Sequence, residues 1–215
     1  IYSRRGVAYR QLGQHEQAIG DYDRAIEIDP ELSDAYKGRG YEYAVLGRFE
    51  LAIDDYGKAI LLNPNDPESF NNRAVAYDDL GDYRKAIEDY EKAIGIDPKR
   101  AEFHYNLGMA RSHFGQNEEA IKNFDEAIKL NPYLTEAYFN RGMLYRNLGQ
   151  MHQAVADFGE VISLNPKQVS GYYNRAIAYD NLGQFEQVVM DLSEAIRLDP
   201  NMTEAYYHLG IAYNR

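Results

Sequence analysis

Cysteine and tryptophan are absent from the 215 residues. Without cysteine there is no disulfide, no thiol nucleophile and no cysteine-ligated zinc, and the redox compartment is left open. No apolar run approaches the roughly 18 residues of a membrane-spanning helix, so membrane insertion is not expected. Basic charge is also short: 23 Lys+Arg stand against 34 Asp+Glu, a formal net charge of −11. A protein that tracks nucleic-acid phosphates needs a basic stripe, and this balance argues against that partner. No signal-like segment is present, and the chain begins at Ile1 in mid-pattern, so we expect a piece of something longer. What is plentiful is tyrosine, with 20 residues. A composition of 45% hydrophobic and 27% charged residues is that of a folded chain, not a disordered one.

The dominant feature is a period. Prolines fall at Pro30, Pro64, Pro98, Pro132, Pro166 and Pro200, each 34 residues after the last, and only Pro67 stands outside the series. Glycines at Gly13, Gly47, Gly81, Gly115, Gly149 and Gly183 keep the same interval. Self-similarity at such a period is the mark of a repeat array. Within 135–168, Ala137, Tyr138, Gly142, Tyr145 and Leu148 have helical spacing, which predicts a first helix over 136–148. Gly149 then stops it, as a residue free to take positive φ does. Ala154, Phe158, Val161 and Ile162 predict a second helix over 152–164, ended by Asn165-Pro166 because proline disfavours helix in the residue before it. Thr135 is placed to cap the first helix with its hydroxyl oxygen. Each unit therefore reads as helix A, short turn, helix B, short turn.

These positions resemble the tetratricopeptide repeat family over essentially the whole chain. The aromatic near the start of helix A stands at Tyr2, Tyr36, Phe70, Tyr138, Tyr172 and Tyr206, with His104 departing. A small residue follows at Gly6, Gly40, Ala74, Gly108, Gly142, Ala176 and Gly210, then a tyrosine at Tyr9, Tyr43, Tyr77, Tyr145, Tyr179 and Tyr213, with Arg111 departing. Helix B offers Ala18, Ala52, Ala86, Ala120 and Ala154, then Tyr22, Tyr56, Tyr90, Phe124 and Phe158, then Ala25, Ala59, Ala93 and Ala127. Late departures at Val161, Val188 and Leu192 suggest altered packing, not a different fold. The resemblance implies an all-α, right-handed superhelical solenoid of stacked antiparallel helix pairs. It divides the chain into a clipped unit 1–32, full units 33–66, 67–100, 101–134, 135–168 and 169–202, and a lone helix A over 203–215. Exposed repeat ends at either terminus would be apolar, which leaves room for self-association.

One charge pattern is read from the repeats directly. Arg5, Arg39, Arg73, Arg141 and Arg175 occupy one helix A position, and Asp21, Asp55, Asp89, Asp157 and Asp191 lie 16 residues later in helix B. Where Leu107 replaces the arginine, Asn123 replaces the aspartate. Two positions that change together across an antiparallel hairpin point to an ion pair between its helices. The alternative is that the arginines reach a ligand.

No catalytic constellation is present, and neither enzyme activity nor a cofactor is expected. His15, His104, His113, His152 and His208 lack metal-ligand spacing, and the glycines keep the repeat interval instead of forming a phosphate loop. The carboxylates, Asp78-Asp79 among them, read as solvated surface. What remains is a binding surface. The resemblance puts helices A on a concave wall, where one position holds Asn72, Asn106, Asn140 and Asn174 in consecutive units. An asparagine offers one donor group and one acceptor on a short arm, matching a peptide group. The series resembles the asparagine ladders of other arrays in the family, though Arg4 and Gly38 break it. Alternatively these amides bond locally between hairpins. Beside them lie Tyr105, Phe139, Tyr173 and Tyr207, then Tyr41, Met109, Met143, Ile177 and Ile211, which the periodic core does not need and which suit a binding groove. Lys37, Arg10, Asp78 and Asp79 make the N-terminal end polar.

The clamp with which some members of the family hold an acidic C-terminus is not matched. Lys37 fits one clamp position, but Tyr41 stands where asparagine is needed, and Asp34, Glu68, Glu102, Glu136 and Glu204 stand where lysine is needed. The expected role is a protein-interaction module that takes an extended or helical segment of a partner protein or peptide. The alternatives are a self-associating scaffold, or the targeting array of a larger enzyme. Cytoplasm is only a default for localisation.

Overall fold

A computed structural model describes residues 1–215. The chain is all-α, and its helices are α1 (Tyr2–Gln11), α2 (His15–Ile28), α3 (Ser33–Val45), α4 (Phe49–Leu62), α5 (Pro67–Asp79), α6 (Tyr83–Ile96), α7 (Ala101–His113), α8 (Asn117–Leu130), α9 (Thr135–Asn147), α10 (Met151–Leu164), α11 (Val169–Asn181), α12 (Phe185–Leu198) and α13 (Thr203–Ala212). They form two compact units, Ile1–Gly115 and Gln116–Arg215. In the first, hairpins α1–α2, α3–α4 and α5–α6 stack in chain order with α7 packed on α6. In the second, α9–α10 and α11–α12 form hairpins, with α8 packed on α9 and α13 on α12. Helix α1 touches α3, α3 touches α5, α5 touches α7 and α9 touches α11, so helices A share a layer within each unit.

The turns follow the punctuation. Gly47, which joins α3 to α4, has φ +72°, a conformation that costs a side-chain-bearing residue roughly 1–2 kcal/mol, and the other five turn glycines share it. Helix B stops before each Asp-Pro or Asn-Pro, where the acidic or amide oxygen accepts a backbone N–H two residues on, as Asn131 does from Tyr133 at 3.1 Å. One expectation is corrected. Thr135 does not cap α9; it is the helix's first residue, and no side chain caps the end. The turn's own backbone serves the exposed amides instead, with Ala137 N–H donating to Leu134 C=O at 3.0 Å. The predicted helices 136–148 and 152–164 each begin one residue earlier than expected.

The core is a ring pressed on a small residue, repeated. The aromatic of helix B lies against the glycine or alanine of its own helix A. A Cβ on Gly40 would stand 3.1 Å from the Tyr56 ring, and one on Gly142 would stand 3.0 Å from Phe158. Tyr22, Tyr56, Tyr90, Phe124 and Phe158 are buried, each at most 2% exposed. The late departures change sizes in pairs. Val161 replaces the repeat's alanine, and the facing Gly171 has no side chain, its Cβ position lying 3.1 Å from Val161. The added volume is partly offset, so the architecture holds. His104 also keeps its register: its Nε2 lies 3.0 Å from the Pro98 carbonyl, and one hydroxyl, Tyr172, makes the equivalent bond to Pro166 two repeats on at 3.3 Å.

The five arginine–aspartate pairs are all formed. Arg73 donates through Nε and Nη2 to both oxygens of Asp89 at 2.7 and 2.8 Å, and Arg5–Asp21, Arg39–Asp55, Arg141–Asp157 and Arg175–Asp191 repeat that two-point contact. The aspartates are buried, so these are not the exposed surface pairs that typically contribute less than about 1 kcal/mol. The tyrosine surplus is partly explained here. Tyrosines flank the guanidinium on both sides in most repeats: Arg39 lies 5.7 Å from the Tyr36 ring centre and 5.8 Å from that of Tyr43. Removing the aspartate would leave a largely buried guanidinium with two donors unmatched. We therefore expect Asp89→Ala to lower the unfolding free energy by about 2–3 kcal/mol in chemical denaturation. Asp82→Ala, at an exposed helix end, should cost no more than about 1 kcal/mol.

Candidate functional site

Residue 38 stands at the same repeat position as the four asparagines and is glycine. The reason lies beneath it: a Cβ there would sit 2.5 Å from Cζ of Tyr22, so the ring occupies the space a side chain would need. Gly38 and this ring border a hollow of about 530 Å³ in the first unit. Tyr22 forms its floor, Val7, Arg10 and Tyr41 line its apolar and stacked side, and Lys37, Glu68 and Asn72 line its polar side. Helices α1, α3 and α5 supply these walls, as consecutive helices A of one layer.

The floor carries an unmatched group. The Tyr22 hydroxyl is buried and has no hydrogen-bond partner. Burial holds this phenol above its ordinary range, with the Arg10 charge working against that rise. Around the rim the charges are mixed. The Lys37 ammonium donates to Asp66 at 3.0 Å and has Asp34 and Glu68 each at 3.8 Å. The Arg10 guanidinium stacks 5.1 Å from the Tyr41 ring centre and lies 3.9 Å from the buried Glu42, whose other oxygen meets His15 Nδ1 at 2.7 Å. Burial by itself would raise Asp66, but bonds from the Ser69 hydroxyl and Lys37 bring its pKa below the ordinary carboxylate value.

The asparagines are placed as follows. In the first unit, Asn106 donates to Asn71 at 3.0 Å, and Asn71 donates to the Asn72 oxygen at 3.3 Å, so a chain of amides links two neighbouring helices A. In the second unit, Asn140 donates to the Glu136 carbonyl at 3.0 Å and Asn174 to the Ser170 carbonyl at 2.8 Å, each one turn back on its own helix. Arg146 also donates to the Asn174 oxygen. Local bonding of these amides is therefore present in both units. Lys37, Tyr41 and Asn72 come together around the hollow. Tyr41 is 42% exposed, while Tyr105, Met109 and Ile177 are half-buried.

The reading of the apolar residues as surplus to the core needs correction at three positions. Phe139 and Met143 pack against the core of Ala154, Phe158 and Ala178, and Tyr173 packs against that of Ala176 and Val188. Two-layer stacking buries one flank of this stripe, which a single-helix pattern does not reveal. What the sequence reading missed is the hollow. Its signal was visible as glycine in a series of asparagines, but it was read only as a gap in the ladder.

The repeat pattern described as tetratricopeptide repeat matches residues 1–32, 33–66, 67–100, 135–168 and 169–202, and related repeat patterns match 89–122 and 115–149. No curated protein sequence matches the chain. Among solved structures, YrrB, described as a TPR protein with an unusual peptide-binding site, is 25% identical with a TM-score of 0.75, covering 86% of this chain and 96% of its own. A structure of MamA protein is 27% identical with a TM-score of 0.75, covering 81% of this chain and 96% of its own. PilF of Pseudomonas aeruginosa shares the fold at 19% identity and a TM-score of 0.81, covering 98% of this chain and 96% of its own.

Two measurements check the geometry. Gly38→Ala should displace Tyr22 and lower the melting free energy by about 1–3 kcal/mol. Gly20→Ala, in α2 with open space around it, should instead raise it by about 0.5–1 kcal/mol. Because the Asp66 pKa is depressed on folding, its stabilising contribution is fully present above about pH 4 and is lost as pH falls below that. Thermal melts at pH 7 and pH 3 should show a smaller difference for Asp66→Asn than for the unaltered protein.

Proposed function

We propose, from the premise that this chain belongs to the tetratricopeptide repeat family, a family of protein-interaction scaffolds, that it binds a polypeptide segment along its layer of helices A. The Gly38 hollow carries this reading. A side chain of the partner enters it above Tyr22, and the segment's backbone runs past Asn72, which has one amide group within reach. An aromatic or long aliphatic residue suits the floor and the Tyr41 wall. The mixed rim, with Arg10 and Lys37 facing Asp34 and Glu68, suits a segment with polar groups of both signs on either side of that anchor. Asn106, Tyr105 and Met109 extend the surface within the first unit. In the other unit, half-buried Asn140 and Ile177 are the candidates left on this layer.

Two observations support the reading. The hollow of about 530 Å³ is walled by three consecutive helices A and offers apolar and charged groups together. YrrB, which is 25% identical over most of this chain, is itself described as having a peptide-binding site. No helix is long and apolar enough to cross a membrane. A second reading, self-association, draws on Tyr206, Tyr207 and Tyr213 in the last residues, which are 51–70% exposed.

The test is selection of peptides on the unaltered protein, followed by fluorescence titration of the enriched sequences. Tyr41→Ala combined with Asn72→Ala should weaken them about 10-fold or more. Met190→Ser, on the exposed side of α12, should leave them unchanged. Equal affinity for both variants would remove the groove reading, and sedimentation over a concentration range would then decide on self-association.

A further inference from the structure

Each helix A arginine has a third donor, Nη1, beyond the two that hold its own hairpin's aspartate. In two repeats this donor is engaged by the preceding helix B. Arg39 Nη1 donates to Asp23 at 2.6 Å, and Arg141 Nη1 donates to Asp125 at 2.5 Å. Both aspartates lie 16 residues before their arginine. The equivalent residues before Arg73 and Arg175 are Gly57 and Gly159. A Cβ on Gly57 would stand 3.6 Å from Arg73 Nη1, and one on Gly159 would stand 3.8 Å from Arg175 Nη1, with nothing else near. Both Nε and Nη2 of Arg73 are held by Asp89, so Nη1 is oriented by the fold and faces the place a carboxylate occupies elsewhere in this same chain.

The surroundings of Arg73 make a socket. A depression of about 400 Å³ between α4 and α5 is lined by Ile53, Gly57, Lys58, Leu61, Arg73 and Tyr77, with Asp54 as its one acid. It shares no residue with the Gly38 hollow. Leu61 is 76% exposed. At Arg175 the residues matching Lys58 and Leu61 are Glu160 and Ser163, so that site lacks the second cation and the exposed leucine.

We infer that the Arg73 socket is a second binding site, which takes a carboxylate side chain of a partner polypeptide flanked by an aliphatic residue. The incoming Asp or Glu accepts from Arg73 Nη1 as Asp23 accepts from Arg39, Lys58 adds a second favourable charge, and the neighbouring apolar residue lies on Leu61 and Ile53. Fixed orientation of the guanidinium favours the bond, because little side-chain freedom is lost on binding. The proposal does not depend on the hollow over Tyr22.

The test uses isotope-labelled full chain and the arginine Nε–Cζ resonances, titrated with acetyl-Leu-Asp-Leu-amide. A saturable shift of Arg73 is expected, with Arg39 and Arg141 unmoved and Arg175 moving at least several-fold less. Acetyl-Leu-Asn-Leu-amide should need at least 10-fold higher concentration for the same shift. Gly57→Asp, which copies the chain's own Asp23 arrangement, should abolish the response, and Lys58→Glu, which copies Glu160, should weaken it without touching Arg73 or Asp89. The inference is overturned by no Arg73 shift at 10 mM peptide (on the order of the weakest affinity worth the name of a site), by equal shifts from the two peptides, by Arg39 moving alongside Arg73, or by an undiminished response in both variants.

Discussion

A ring pressed against a residue with almost no side chain is the contact on which this molecule depends. It sets how closely helix A and helix B approach, and the approach sets everything beside it. One residue before the small position stands the arginine, and one before the ring stands the aspartate. The spacing that seats Phe158 on Gly142 therefore also brings Arg141 and Asp157 into two-point contact. Packing and electrostatics follow from one registration, yet each tolerates change in the other: Leu192 replaces the ring while Arg175 and Asp191 stay paired, and Phe124 stays buried in the repeat that lacks the ion pair. Where Leu107 replaces the arginine, Asn123 replaces the aspartate in the same repeat, and the boundary between the two compact units falls in that repeat's turn, at Gly115.

The arginine also ties one hairpin to the next where a partner is provided. In α3 and α9 the guanidinium spans two aspartates, one on its own helix B and one on the preceding helix B. Flanking tyrosines shield it from water, which strengthens the remaining interactions at low local dielectric. A long cation thus serves as a brace inside a stack that is otherwise held by non-directional burial. Burial alone would tolerate small slips of one hairpin over its neighbour. A fork-shaped donor bound at two points tolerates much less.

The repeat, its helices and the ion pairs were legible in the sequence because each rests on local rules that recur in phase. A glycine at every turn, a proline after every helix B, and two residues that change together are signals that need no three-dimensional knowledge. The same rules failed where neighbouring layers decide the outcome. Thr135 was expected to cap a helix, but backbone carbonyls of a tight turn already serve those amides. Phe139 and Met143 looked unneeded, because a pattern read along one helix does not reveal which flank the adjoining hairpin covers. The bonding of the asparagines was equally hidden: whether Asn140 reaches outward or back to Glu136 depends on a rotamer, and the residue type allows both. The role of Gly38 depends on where a tyrosine 16 residues earlier places its ring, a contact between consecutive hairpins that spacing alone does not specify.

Both proposed sites arise from one circumstance, the loss of a side chain at a position where the repeat elsewhere supplies one. At Gly38 the loss makes room for the Tyr22 ring that borders the hollow, and at Gly57 it leaves an arginine donor without its second aspartate. In an array under selection for stability alone, position 57 would be easy to repair, since neighbouring repeats already contain the repair. A Cβ at 57 would meet only Arg73 Nη1, at an ordinary contact distance of 3.6 Å. A deficit that the fold could remedy with a residue it uses elsewhere, left in place beside a cation and an exposed leucine, is better explained by something that arrives from outside than by a constraint from within. The glycine at 38 is different in kind, because the ring beneath it must shift for any larger residue. There the hollow is fixed by packing, and only its use is free to vary.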